Sequence, residues 1–197
     1  MTGQIPDFVH HRGTQYALTA VAGSGLFDPA DHGLRTRPPS TGCWRGFLCD
    51  YTVTDRHLRL TRLELTPAEP PDDDGPVLFG VRPTVDGPDG HHPGSRNYRD
   101  MAVPMAFTGR VLLGGEIAAG PYLHMGFRPA WLFEDVVELV FAEGRLTEEY
   151  DRSAELADVR RRVGDAGARP AEGEATRDWI ERTGSLSYAY SWPTLGG

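Results

Sequence analysis

The chain has 197 residues, 39% hydrophobic and 24% charged, enough for one domain with a substantial core. Its formal net charge of −8 argues against general nucleic-acid binding, which needs a basic surface for phosphate contacts. All 20 basic residues are arginine, so there is no lysine amine for a Schiff base or a phosphate-cradling P-loop.

With 24 glycines and 16 prolines, frequent turns and short strands are expected. The opening residues, Met1 to Asp7, carry neither the basic nor the apolar region of a signal peptide. No run approaches the roughly 18 apolar residues of a membrane span. Cys43 and Cys49 lie in an extended segment, roughly 20 Å apart at about 3.3 Å per residue, too far to bridge without a sharp bend. Together these features predict a cytoplasmic protein with reduced thiols and no membrane association.

In chain order, Gln15 to Val21 reads as a first strand, followed by a long loop from Gly23 to Gly42 rich in Gly, Pro, Asp and Ser. Phe47 to Thr54 and Leu58 to Leu65 then form a hairpin around Asp55-Arg56-His57. In its return strand the apolar phase slips by one between Leu60 and Leu63, which predicts a bulge at Thr61-Arg62. Pro67 to Pro76, with Asp72-Asp73-Asp74, is an exposed connector, and Val77 to Val81 a short strand. Asp86 to Asp100 is too polar and glycine-rich to pack. Met105 to Ile117 is one strand, or two joined at Gly114-Gly115.

Val136 to Phe141 turns at Glu143-Gly144 into Arg145 to Tyr150, a hairpin built like the first; shared hairpin grammar explains the likeness better than duplication does. Ser153 caps a helix running through Val163, with Leu156, Val159 and Val163 on one stripe. Thr176 caps a second helix running through Arg182 and ended by Gly184, and Gly164 to Gly173 links the two. Leu186 to Trp192 alternates enough to add a strand. The expected organisation is a β-rich core domain over 1–152 and a helical C-terminal appendage over 153–197 packing on it.

Two blocks in this order are familiar together: Ser40-Thr41-Gly42-Cys43-Trp44-Arg45-Gly46-Phe47, then Phe107-Thr108-Gly109 with Tyr122-Leu123-His124-Met125-Gly126-Phe127. The pattern resembles a family of uncharacterised bacterial proteins with a CWRG-type block and a Y-[VL]-HMG block, covering roughly Tyr16 to Asp151. That family has no assigned activity, so the resemblance transfers no catalytic residue. It implies that Trp44-Arg45-Gly46 and His124-Met125-Gly126 belong to one feature.

The segment Tyr122 to Trp131 mixes three aromatics with His124, Met125 and Arg128 and is the foremost candidate site. On a strand, Tyr122 and His124 share one face while Leu123 and Met125 share the other. His124 then acts as an acid or base above a wall of Tyr122, Phe127 and Trp131, or is a hydrogen-bonded histidine in the core. Trp44 and Arg45 complete the ligand-binding set with Arg128. Arg45 either forks onto a ligand's anionic group or is a buried structural arginine. Glu116, Glu134, Asp135 and Glu138 are the nearest carboxylates.

The doublets His10-His11 and His91-His92 fall in loops and lack metal-ligand spacing, as do His32 and His57. No metal and no cofactor are expected, and neither a nucleophile elbow nor a dinucleotide fingerprint occurs. The fold expected is mostly β (α+β): a curved antiparallel sheet forming an open barrel or roll, with one or two C-terminal helices. Function takes one of two forms. The first is a cytoplasmic, non-enzymatic binding protein with an unknown protein or small-molecule partner. The second is a small β-barrel enzyme or carrier acting on a partly apolar ligand through His124.

Overall fold

The structure, a computed structural model, describes residues 3–69, 75–85, 92–120, 123, 125–164, 170 and 173–193. Its strands are β1 (Phe8–His11), β2 (Thr14–Ser24), β3 (Phe47–Thr54), β4 (His57–Leu65), β5 (Thr84–Val85), β6 (Arg96–Tyr98), β7 (Val103–Pro104), β8 (Thr108–Gly114), β9 (Val136–Ala142) and β10 (Arg145–Asp151). Helices α1 (Ser153–Val163), α2 (Thr176–Gly184) and α3 (Tyr188–Ser191) follow, and 3-10 turns span Pro29–His32 and Ala130–Leu132.

The expected curved sheet closes into a seven-stranded barrel in the order β10-β9-β8-β2-β1-β3-β4, with β4 meeting β10. Its neighbours are antiparallel except β1 and β3, which run parallel. Three partners share the far edge of β4. His57 faces Arg145 of β10, Arg59 and Leu60 face β7, and Leu63 to Leu65 face β6.

The phase slip in β4 is a bulge. Asp50 pairs with Arg62 and Tyr51 with Leu60, which leaves Thr61 as the extra residue. Leu58, Leu60, Leu63 and Leu65 thereby all face inward, none more than 3% exposed, where strict alternation would have turned the last two outward. Positive φ at Asp55 and Arg56, and at Glu143 and Gly144, gives both hairpins the two-residue turn whose twist suits flanking strands.

These two look-alike hairpins lie side by side and form the seam of the barrel. Leu58 N–H donates to Gly144 O at 2.9 Å and Leu146 N–H to Arg56 O at 2.7 Å. The Arg56 guanidinium donates to the Leu146 carbonyl through Nε and Nη2, at 3.0 and 2.7 Å.

The barrel is filled. Val9, Leu18, Tyr51, Leu60, Leu63, Tyr98, Phe107, Leu113 and Leu139 belong to its core, and the void lined by Val9, Leu18, Leu26, Tyr51, Leu58, Val111 and Phe141 measures only about 10 Å³, about one water's worth. A second apolar cluster lies elsewhere: Ala20, Leu112 and Val136 from β2, β8 and β9 are covered by Trp131, Leu132 and Phe133 and by Leu156 and Val159 of α1. The tail thus folds onto the sheet along the stripe read from its sequence. Among the described residues no helix is long and apolar enough to cross a membrane.

Several local expectations give way. β1 was not foreseen; its signal was Arg12-Gly13, a two-residue turn with φ of 51° and 80° joining it to β2. Val77 to Val81 is no strand, because Leu78 and Val81 bond each other across a turn at Phe79-Gly80. Tyr188–Ser191 is a single helical turn rather than a strand; the Ser187 hydroxyl accepts from Tyr190 N–H, Leu186 O accepts from Val21 N–H of β2 at 2.7 Å, and the Ser191 hydroxyl donates to Thr19 O of β2 at 2.8 Å. Ser153 begins α1, but its hydroxyl accepts from Val136 N–H while Asp151 Oδ1 accepts from Ser153 N–H. Asp72-Asp73-Asp74 and His91 lie outside the described residues.

Candidate functional site

Tyr122 and His124 also lie outside the described residues. Around them the segment is not a strand. Leu123 and Met125 are both buried, as expected of the core side, but Gly126 makes only an isolated bridge to Gly3 and Ala130–Leu132 is a 3-10 turn, so the described residues form no continuous strand here. Gly126 has φ of 78°, and a Cβ there would stand 2.3 Å from the Thr183 carbonyl oxygen. Only glycine combines that backbone with so close an approach. Phe127 N–H then donates to the same carbonyl at 2.8 Å, tying the segment to α2.

The Trp44-Arg45 block packs against this segment through the N-terminal strand of chain. Gln4 N–H donates to Gly126 O and Ile5 N–H to Gly42 O, both at 2.8 Å. The Gln4 side chain accepts from Trp44 N–H and donates to Thr41 O. Arg45 forks onto Asp7 with bonds of 2.9 and 2.8 Å, and Asp7 Oδ1 also accepts from Cys49 N–H. The guanidinium lies 4.7 Å from the Phe47 ring centre and 5.2 Å from that of Phe127. Burial works against its charge, but the Asp7 carboxylate outweighs that and holds the Arg45 pKa above the ordinary value. Arg45 is thus committed to Asp7. Trp44 is half-buried with its ring against Gly184, Phe127 is buried, and Trp131 lies in the second core with its indole N–H donating to Tyr190 O.

Arg128 is different. It is exposed and makes no hydrogen bond or ion pair among the described residues. It borders two adjoining cavities on the outside of the barrel. One, of about 240 Å³, is lined by Gln4, Pro6, Phe8, Gln15, Ala17, Leu18, Thr19, Gly115, Ile117 and Phe133 with Arg128. The other, of about 270 Å³, lies against Gly3, Gln4, Ile5, Pro6, Leu123 and Gly126. Arg128 is the only charged side chain among the described residues lining either one. A third, more open hollow of about 490 Å³ shares Gln15 and Gly115 with the first and carries Glu116, Glu134 and Asp135. The result is an outer groove with an apolar middle, a cation at one end and carboxylates at the other. It is the kind of concave, mostly apolar surface with few polar groups that takes ligands.

Comparison with protein-family models, with curated proteins and with solved structures finds no match for this chain. Function has to be argued from the site alone.

Most of the groove escaped sequence reasoning. Phe8 depends on recognising β1, while Gln4 and Pro6 precede any patterned segment. Ile117, 57% exposed, was legible only as an apolar residue next to Glu116 after Gly114-Gly115. The histidine doublets are also better placed than loops would allow. His10 and His11 lie on β1, and buried His11 has its Nε2 3.2 Å from Glu149. His92 Nδ1 is 3.1 Å from buried Glu64, and its Nε2 is 3.1 Å from Ser40 Oγ. Among the described residues no three His, Cys, Asp or Glu side chains converge as a metal-binding set.

Proposed function

We propose that this chain is a non-enzymatic binding protein that takes its partner in the outer groove beside Arg128. One observation carries the reading: the barrel interior is filled to a void of about 10 Å³, while the adjoining cavities of about 240 and 270 Å³ lie outside it and share a guanidinium that has no partner among the described residues. A cation left unpaired at the edge of apolar surface is suited to recognition, whereas the neighbouring Arg45 is consumed by Asp7. Retention of a tagged partner from native cells tests this. Ile117→Asp combined with Arg128→Glu should abolish capture without lowering Tm; equal capture by both proteins contradicts the reading.

The alternative, a small β-barrel enzyme or carrier with His124 as acid or base, draws on the fact that Leu123, its chain neighbour, lines the second cavity. His124→Ala separates the two readings, since a binding protein keeps its partner and an enzyme loses turnover. A cytoplasmic location is part of the proposal, supported by two free, buried thiols. So is kinship with the uncharacterised family, supported by the stacking of Arg45 from one block over Phe127 from the other.

A further inference from the structure

We infer that the outer groove accepts a short apolar peptide with free ends, its carboxylate on Arg128 and its ammonium at the acidic rim; this rests on the binding reading above and names the ligand class.

Strand register fixes the polarity of the groove. Phe8 stands opposite Ala17, and Leu18 N–H donates to Asp7 O, so the chain before Phe8 runs antiparallel to β2 toward Thr19. That puts Gln4, Pro6 and Arg128 at the Thr19 end. At the other end, Thr14 and Gln15 share their hollow with Glu116, Glu134 and Asp135. Gln15 to Thr19 covers about 13 Å at roughly 3.3 Å per residue, the span of about four extended residues.

Each part of the groove matches one part of such a ligand. Phe8, Ala17, Phe133 and the exposed Ile117 supply apolar surface for its side chains. Arg128 offers a fork for a terminal carboxylate. Glu116 and Glu134 are exposed, form no ion pair among the described residues and are open to an ammonium. Opposite charges at the two ends select one direction of binding and disfavour chains blocked at either end.

Calorimetry with alanyl-leucyl-leucyl-alanine, its C-terminal amide and its N-acetyl form tests this on the whole chain. The free peptide should bind. Amidation should weaken binding about tenfold on the wild type but not on Arg128→Gln, and acetylation several-fold on the wild type but not on the Glu116→Gln, Glu134→Gln variant. No binding at millimolar peptide, or equal binding of all three forms, overturns the inference. If the peptides fail while the Ile117→Asp, Arg128→Glu protein still loses its captured partner, the ligand class is wrong and the binding reading stands.

Discussion

Arg45 and Asp7 are joined by two parallel hydrogen bonds of 2.8 and 2.9 Å, linking the segment after Gly42 to the chain just ahead of β1. The pair is lopsided: the Asp7 side chain is 4% exposed and that of Arg45 27%. Arg45→Ala strands a buried carboxylate and should cost about 3–5 kcal/mol. Asp7→Asn keeps a carbonyl oxygen for the buried Cys49 N–H and leaves a guanidinium that is 27% exposed, so it should cost less. Urea unfolding of both variants checks the order, and a larger loss for Asp7→Asn would contradict it.

Gly126→Ala should loosen α2 from the body of the protein, because the new methyl meets the Thr183 carbonyl at 2.3 Å on a left-handed backbone. A loss of about 1–3 kcal/mol is expected, with faster hydrogen exchange across Thr176–Gly184. Gly173 has nearly the same φ, 79°, with nothing within 4 Å among the described residues, so Gly173→Ala isolates the backbone contribution and should cost less.

Stability should fall on the alkaline side. Burial pushes Cys49 and Tyr51 well above their ordinary values and Tyr98 and Tyr190 up to about 12. A folded pKa above the unfolded one means stability is fully present below the unfolded values, about 8.5 for Cys and 10 for Tyr, and is lost as pH rises through the folded ones. Tm should hold from pH 7 to about 8.5 and decline toward 12. Tyr98→Phe should flatten part of that decline while forfeiting the 2.9 Å bond to Pro76 O.

The same burial protects the thiols. Cys43 and Cys49 are 3% and 0% exposed, and burial raises both pKa values. Iodoacetamide at pH 8 should leave the native chain unmodified and add two groups in urea, read by intact mass. Rapid labelling of the folded protein would contradict this burial.

What the sequence made legible was local and periodic. The β3–β4 hairpin, its bulge at Thr61, the Glu143-Gly144 turn and the apolar stripe of α1 each follow from residues near one another in the chain. The barrel seam did not show, because nothing in the pattern says that His57 will face Arg145. The groove was equally hidden: Phe8, Ala17, Ile117 and Phe133 are scattered over four segments and meet only once β1 lies against β2. Arg45 and Arg128 look alike in the sequence. What separates them is Asp7, 38 residues before Arg45.

The most direct test of an outer binding groove on a filled barrel uses the apolar anionic dye anilinonaphthalene sulfonate. It should bind the native protein saturably, with binding abolished in the Ile117→Asp, Arg128→Glu variant at unchanged Tm. Undiminished dye binding by that variant would place the open site elsewhere and contradict the account.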